Sequence, residues 1–367
     1  MTKVYIHSPS LSQFGKWNGN SLSLSTETAK LSLQSFDAQK IEFLIFASFA
    51  PEQYTKEFHL PTKILQNLGL QNAFCIRSET ASSAGASAFQ LGVNLILSGR
   101  YKHGMVLATE VMSQFNREEN NLLLGSVLSR RQQQLRMSMA QGGAMITRRY
   151  LSMYGYQSSD LYFLSKKLHD NGLKNPIAQI KKNLSEKEYE NQTMISSPLG
   201  LYDISPLSDG SAALVLSTDP SQISVKGMGH GTGKFLSSAE PSFSASVIAF
   251  QRAFAEAKIQ AREINFAELH DAFTTFELIG AEDAGLIPRG KALQWVKEGL
   301  SHPEGQLPIN ASGGLKSRGH PIGASGLAQI VEICRFFPSR KEQRFALAHS
   351  IGGLATNNFA TILERNS

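Results

Sequence analysis

Ser78–Gly92 reads SETASSAGASAFQLG, and far downstream Gly323–Leu327 reads GASGL. In the first stretch a strand ends, the chain turns at Ser82, and a helix opens at a glycine. In the second, a helix opens in the same way after His320. Each helix is small on one side and apolar on the other. Working outward, Ile41–Ser48 (IEFLIFAS) is an apolar run ending in small residues, and Ile264–Asp271 (INFAELHD) has a similar start and the same length. Each half closes on a β segment, DGSAALVLST at Asp209–Thr218 and GGLATNNFATILER at Gly352–Arg365. The blocks follow one order twice, which argues for a duplicated α/β unit. The halves are placed at 1–218 and 219–367.

Val106–Thr109 and Leu214–Leu216 read as buried strands, and Ser246–Lys258 as a helix. Buried runs separated by helices predict mostly parallel sheets covered on both faces. Between about 114 and 198 the chain turns polar and rich in Arg and Gln, with helices predicted at Met137–Tyr154 and Ser158–Asn171. This region is read as an insertion that covers the site; the alternative is a surface excursion.

The 367 residues carry a net charge of +6, with 41% hydrophobic and 18% charged residues, a balance that fits a compact globular chain. The basic residues are dispersed, without the stripe that nucleic acid needs, but they suit anionic substrates such as coenzyme A thioesters or phosphopantetheine carriers. Cys75 and Cys334 lack metal-ligand spacing, and both are expected to be inert core thiols. The N-terminus lacks an apolar signal core and no run approaches a membrane span. A soluble cytoplasmic protein is expected, with no metal and no membrane or nucleic-acid partner.

Candidate chemistry gathers at the turns. Ser82 precedes Gly85 by three residues and His320 precedes Gly323 by three, so a pseudo-twofold would place both side chains at the starts of related helices. A helix N-terminus favours negative charge and can stabilise an oxyanion. His270 and Asp271 leave one predicted strand, and His349 and Ser350 end another, where ligands bind in open α/β sheets. The glycines of the adjoining loops, Gly313, Gly314, Gly323 and Gly353, allow close approach of a substrate. Each has a structural alternative: Ser82 as an N-cap, the three histidines as satisfied buried side chains, and Asp271 as a capping residue.

The segment GGLKSRGHPIGASG (Gly313–Gly326) resembles the strongest signature of the thiolase superfamily. ELHDAFTTFEL (Glu268–Leu278) resembles its histidine-containing loop variant, found in sterol-carrier-protein-X and archaeal-type thiolases. KKLHDNGLKNPIAQIKK, SSPLGLYDISPLSDGSAALVLS and HSIGGLATNNFATILER continue the likeness in order, from about Ile41 to the end. The resemblance implies a five-layered αβαβα sandwich of two duplicated halves with a loop-domain insertion. It implies a dimer or dimer of dimers acting on acyl-CoA, with room for a thiolase-like or OB-fold partner subunit, and no metal or redox cofactor.

In that pattern a cysteine accepts the acyl group. Here Ser82 stands at its place, and Thr109–Ser113 (TEVMS) keeps the spacing downstream without a gap. Ser350 stands where many relatives have a second cysteine, with His349 beside it. His320 and His270 match the residues that activate the nucleophile and hold the thioester oxygen. A thiol ionises near ~8.5, whereas an unassisted hydroxyl does not, so a serine needs a general base and an oxyanion hole. The resemblance therefore implies an acyltransferase working through an acyl-serine, or an inactive thiolase-like subunit that binds acyl-CoA or supports a partner enzyme.

Overall fold

The computed structural model describes residues 2–235 and 241–366; Met1 and Ser367, the outer ends of the two expected halves, lie outside the described residues. The strands are β1 (Tyr5–Leu11), β2 (Phe43–Ala47), β3 (Phe74–Ser78), β4 (His103–Val111), β5 (Met194–Ser196), β6 (Leu199–Gly200), β7 (Asp209–Ser217), β8 (Ile223–Thr232), β9 (Phe266–Glu268), β10 (Phe345–Gly352) and β11 (Asn357–Arg365). Nine form one sheet in the order β3-β2-β4-β7-β1-β8-β11-β10-β9, and β5 and β6 form a separate hairpin.

Folding this order about the β1–β8 seam superposes the pattern on itself. Strand β2 runs parallel to β3 and β4, and β9 runs parallel to β10. Toward the seam the pairs β4–β7, β7–β1, β10–β11 and β11–β8 are antiparallel. Ile309 pairs in parallel with Ala267 as a single bridge, at the place β3 holds in the first half. The seam itself is slight, joining Tyr5 to Ser224 and Ile6 to Ile223. The expectation of mostly parallel sheets is thus corrected. The closing strands return antiparallel, through the insertion or a tight turn, and only the outer strands use helical crossovers.

The strands are apolar on both faces because both faces are covered. In β2, Phe43, Ile45 and Ala47 join one core cluster, with Ala84, Ala88 and Phe89 of the helix Ala84–Leu97. Leu44 and Phe46 join another, with Leu60, Ile64 and Leu65 of the helix Leu60–Leu68. In the second half, Ala346 and Ala348 of β10 face the inner cluster, which includes Leu327, Val331 and Ile333 of the helix Ser325–Phe336. Leu347 and Ile351 face outward to Phe250 and Ala253 of the helix Ser244–Ala257. Two inner helices therefore lie between two half-sheets, with outer helices beyond each, which is the five-layered αβαβα sandwich. Each fully buried large apolar side chain contributes about 1.5–3 kcal/mol. Among the described residues no helix is long and apolar enough to cross a membrane.

The inner helices cross without side chains between them. A Cβ on Gly85 would stand 2.6 Å from the Leu327 backbone nitrogen, and one on Gly326 would stand 2.7 Å from that of Ala86. The contacts are reciprocal, so Gly85 is the counterpart of Gly326, three residues beyond the Gly323 expected from the GAS match. The counterpart of Ser82 is accordingly Gly323 rather than His320. A buried carboxylate reinforces the same junction. Glu110, ending β4, accepts bonds from Ser48 Oγ and the backbone N–H groups of Phe49, Ala50 and Gly323. Burial nevertheless pushes its pKa up to about 7.

Replacing Gly326 by alanine is expected to lower the unfolding free energy by about 1–3 kcal/mol or more through overpacking. Gly125→Ala, where an added Cβ meets nothing, is expected to be neutral or stabilising by up to ~1 kcal/mol. Denaturant midpoints of the two variants check the contrast.

Candidate active site

The Ser82 turn is a strained corner. After β3 the chain passes through Ala81 at φ 52°, a left-handed conformation unusual for a residue with a Cβ. The Glu79 carboxylate accepts the Ala81 N–H at 2.5 Å. The N-cap of the following helix is Ser83, not Ser82. The Ser83 hydroxyl is spent on Thr80 and on the Asn357 carbonyl of β11. Ser82 is thereby left half-buried on the wall of a cavity of about 690 Å³, together with His270, His320 and Gly353. No hydrogen bond holds the Ser82 hydroxyl among the described residues.

His320 comes to this wall from the loop before the second inner helix. Its backbone N–H donates to Ser208 Oγ at 2.9 Å, and its Nδ1 lies 2.6 Å from Ser325 Oγ. The Ser325 hydroxyl donates to the Pro321 carbonyl. Its single proton being committed, Ser325 accepts from His320, and the network assigns the proton to Nδ1. The Nε2 lone pair is then free. Burial, with the Arg318 charge second, lowers the His320 pKa to about 3, so the imidazole is neutral at physiological pH. The ring of His270 meets that of His320 edge-on, with centroids 5.3 Å apart. Burial, followed by the neighbouring His320, His349 and Arg318, holds His270 neutral as well. Asp271 caps rather than reacts: it accepts the N–H groups of Leu315 and Lys316 on the short helix Gly314–Arg318.

The remaining expected residues do not line the cavity. Period-two alternation along β10 turns His349 and Ser350 to opposite faces. His349 lies with Leu347 and Ile351 against Phe250, and its Nε2 is 2.9 Å from Ser246 Oγ. The Asn358 amide donates to that same hydroxyl. The arrangement buries His349 away from the cavity, so it is corrected from site residue to core residue. Ser350 is corrected likewise: its hydroxyl donates to the Ser82 carbonyl at 3.3 Å, supporting the turn from beneath. Gly313, Gly314 and Gly323 also stand off the cavity. The close approach they allow is to Gly172, the Asp271 carboxylate and Glu110. Of the four expected glycines, Gly353 alone is on the wall.

From the stretch read as an insertion, Leu124, Met139, His169, Ile180 and Ile195 line the cavity. The lining is mainly apolar and contains the cations Arg117, Lys182 and Lys316, with no Asp or Glu. Lys316 and His169 were not singled out from the sequence, though both stand within recognised motifs. Their signal is burial, which a motif does not carry. Cys75 is half-buried beside Thr62 and Cys334 is buried, and both are free.

Comparison with known proteins agrees with this architecture. Residues 227–365 match the thiolase C-terminal domain-like family. Over its full length the chain is 27% identical to an acetyl-CoA acetyltransferase of Methanothermobacter thermautotrophicus, covering all of both chains. The chain is thiolase-like along its whole length. It is also 31% identical to sterol carrier protein 2 of Bos taurus over 55% of this chain and 41% of that protein. Among solved structures, this thiolase-like chain resembles the Ltp2-ChsH2(DUF35) aldolase with a TM-score of 0.82 and 20% identity, over 99% of this chain and 98% of that one. Human mitochondrial 3-ketoacyl-CoA thiolase gives 0.78 and 15%, over 100% and 99% of the two chains.

The neutral buried histidines make a signed prediction. Burial lowers the His349 pKa to about 3, against ~6.5 when unfolded. Unfolding therefore takes up a proton below ~6.5. The stability that His349 contributes is complete above that value and is lost as pH falls toward 3. His349→Phe should become steadily more stable relative to the parent between pH 6.5 and 4.5, by up to ~1.4 kcal/mol per pH unit. Paired urea titrations across that range measure the slope.

Proposed function

We propose that this thiolase-like chain is an acyl-CoA acyltransferase in which Ser82 carries the acyl group. The observation that carries the reading is that Ser82 and a neutral His320, with its Nε2 lone pair free, both line one large apolar cavity. In the proposed step Ser82 Oγ attacks the thioester carbon while its proton passes to His320 Nε2. The C–S bond breaks, the coenzyme A thiolate takes the proton from His320, and an acyl-serine ester remains. An acceptor nucleophile then repeats the sequence in reverse. In this scheme the helix N-terminus beside Ser82 and His270 would favour the developing oxyanion. The exposed Arg117 and Lys182 suit the phosphates of coenzyme A. The thioester is a substrate in this scheme, and no metal or redox cofactor is invoked.

The same reading extends to the setting. Two free thiols fit a reducing cytoplasm, and an acyl-CoA role belongs to lipid metabolism. A homodimer or dimer of dimers is supported by β3, an edge strand on which Phe74 and Ile76 stand exposed. Ile76→Lys is expected to shift a dimer toward monomer in sedimentation equilibrium. The aldolase relative is named with a DUF35 component, which supports a small partner subunit here too. A second reading, a non-catalytic subunit that binds acyl-CoA, is favoured by the Ser82 hydroxyl having no partner among the described residues.

Intact mass after incubation with a panel of acyl-CoAs separates the two. An acyl-sized gain that Ser82→Ala abolishes, and that His320→Ala slows by about 10²-fold or more, supports the transferase. Coenzyme A binding without any adduct supports the subunit.

A further inference from the structure

Residues 117–136 form a flap at the edge of the cavity. Its first part is the helix Arg117–Gly125. Arg117, Asn121 and Leu124 line the cavity, at the spacing of one helix face. Arg117 and Asn121 are also exposed, so the cavity meets solvent along this helix. The second part is the short helix Arg130–Gln134. The Gln133 amide donates to the Ser126 and Leu128 carbonyls, and the Met137 N–H donates to the Gln132 carbonyl. Val127 before this closed turn, and Ser138 and Met139 after it, line the cavity as well.

The outward residues of the flap take no part in acyl transfer. Arg130, Arg131 and Arg136 are exposed and stand off the cavity lining. At about 3.8 Å between successive Cα atoms, the Arg130 Cα lies no more than about 11 Å from that of Val127, and the Arg136 Cα no more than about 8 Å from that of Ser138. These three guanidinium groups, and that of Arg117, make no hydrogen bond or ion pair among the described residues. Two carboxylates share the flap, Glu118 and Glu119, and Glu119 is occupied by the Asn116 N–H. Leu122 and Leu135 are 73% and 74% exposed, more than any other large apolar side chain among the described residues.

Free coenzyme A in the cavity meets the inner side of the flap and leaves the outer arginines and both leucines in water. Exposed leucines among unpaired arginines have the composition of a protein-docking surface. A second copy of the chain would set arginine against arginine, which disfavours self-association there. A membrane surface calls for a continuous apolar helix face, whereas Leu122 is flanked by exposed Arg117, Glu118, Glu119 and Asn121. An acidic protein is the complement. Because the surface borders the cavity, such a partner can supply Ser82 through a tethered group that reaches inward. We propose that the outer side of flap 117–136 docks an acidic carrier protein, which delivers its acyl chain as a thioester on a phosphopantetheine arm. The inference rests on the acyl-transfer reading above and deepens it by naming the donor. The arm's phosphate pairs with Arg117. The acyl carbon bonds to Ser82 Oγ, the C–S bond of the arm breaks, and its sulfur takes the proton relayed by His320.

The test is calorimetric binding to the full chain carrying Ser82→Ala, which prevents acyl transfer. The probes are an octanoyl-loaded acyl carrier protein, the same carrier without its arm, octanoyl-pantetheine and octanoyl-CoA. The loaded carrier is expected to bind about tenfold or more tighter than octanoyl-pantetheine, the equivalent of ~1.4 kcal/mol, and to weaken with added salt. Arg130→Glu with Arg131→Glu should abolish that gain, and Leu135→Asp should reduce it. Both variants should keep their octanoyl-CoA binding, which reports that they are folded. A loaded carrier that binds no tighter than octanoyl-pantetheine would overturn the docking surface alone, as would a gain that survives the charge reversal. Arginine-dependent binding to vesicles containing phosphatidylglycerol, without binding to the carrier, would overturn it in favour of a lipid surface. Failure of octanoyl-CoA and octanoyl-pantetheine to bind would overturn the acyl-transfer reading. In that event arginine-dependent binding of the armless carrier would uphold the docking surface, and its absence would overturn both.

Discussion

Everything at the centre of this molecule follows from two helices in backbone contact. At Gly85 and Gly326 no Cβ fits, and the axes approach until each glycine touches the other helix's main chain. Close packing of this kind admits no intermediate arrangement. It brings the Ser82 turn and the His320 loop, over two hundred residues apart in sequence, to the lining of one cavity. Glu110 then locks the junction by gathering N–H groups from β2's end and from the second helix's loop. Loosening the crossing would separate the candidate nucleophile from its candidate base before it exposed any large apolar surface.

The electrostatics of the site have one cause acting on different groups. Burial pushes carboxylic acids up and imidazoles down, which makes neutral forms the rule here. For His320 the effect is useful, because a neutral imidazole whose proton is pinned on Nδ1 presents a lone pair to the cavity. For Lys316 the same burial lowers the ammonium's pKa to about 8, against the opposing charges of Asp203 and Asp271. Asp271 has been pushed up to about 7 and contributes as a cap. Burial thus sorts chemically similar residues into distinct roles, and hydrogen-bond partners decide which role each takes.

Several corrections share a geometric origin. His349 and Ser350 are adjacent, so any motif treats them as one unit, yet a strand sends neighbours to opposite faces. Ser82 and Ser83 are adjacent too, and only the turn at Ala81 decides which one caps the helix and which faces the cavity. The GAS repeat paired Gly85 with Gly323 by identity, whereas the contacts pair it with Gly326. Letters mark where a helix begins only to within a turn, and three residues are nearly one helical turn.

The sequence by itself determined the duplicated α/β order, the covered sheets, the thiolase likeness and the placing of Ser82 at the turn before a glycine-opened helix. These features rest on local composition, periodicity and motif order, which a linear chain carries in full. Tertiary structure alone decided the antiparallel return of the closing strands, the removal of His349 and Ser350 from the cavity, and the burial of Lys316 and His169. Those outcomes depend on which face of an element meets which neighbour. Packing between segments distant in sequence sets that, and no local pattern encodes it.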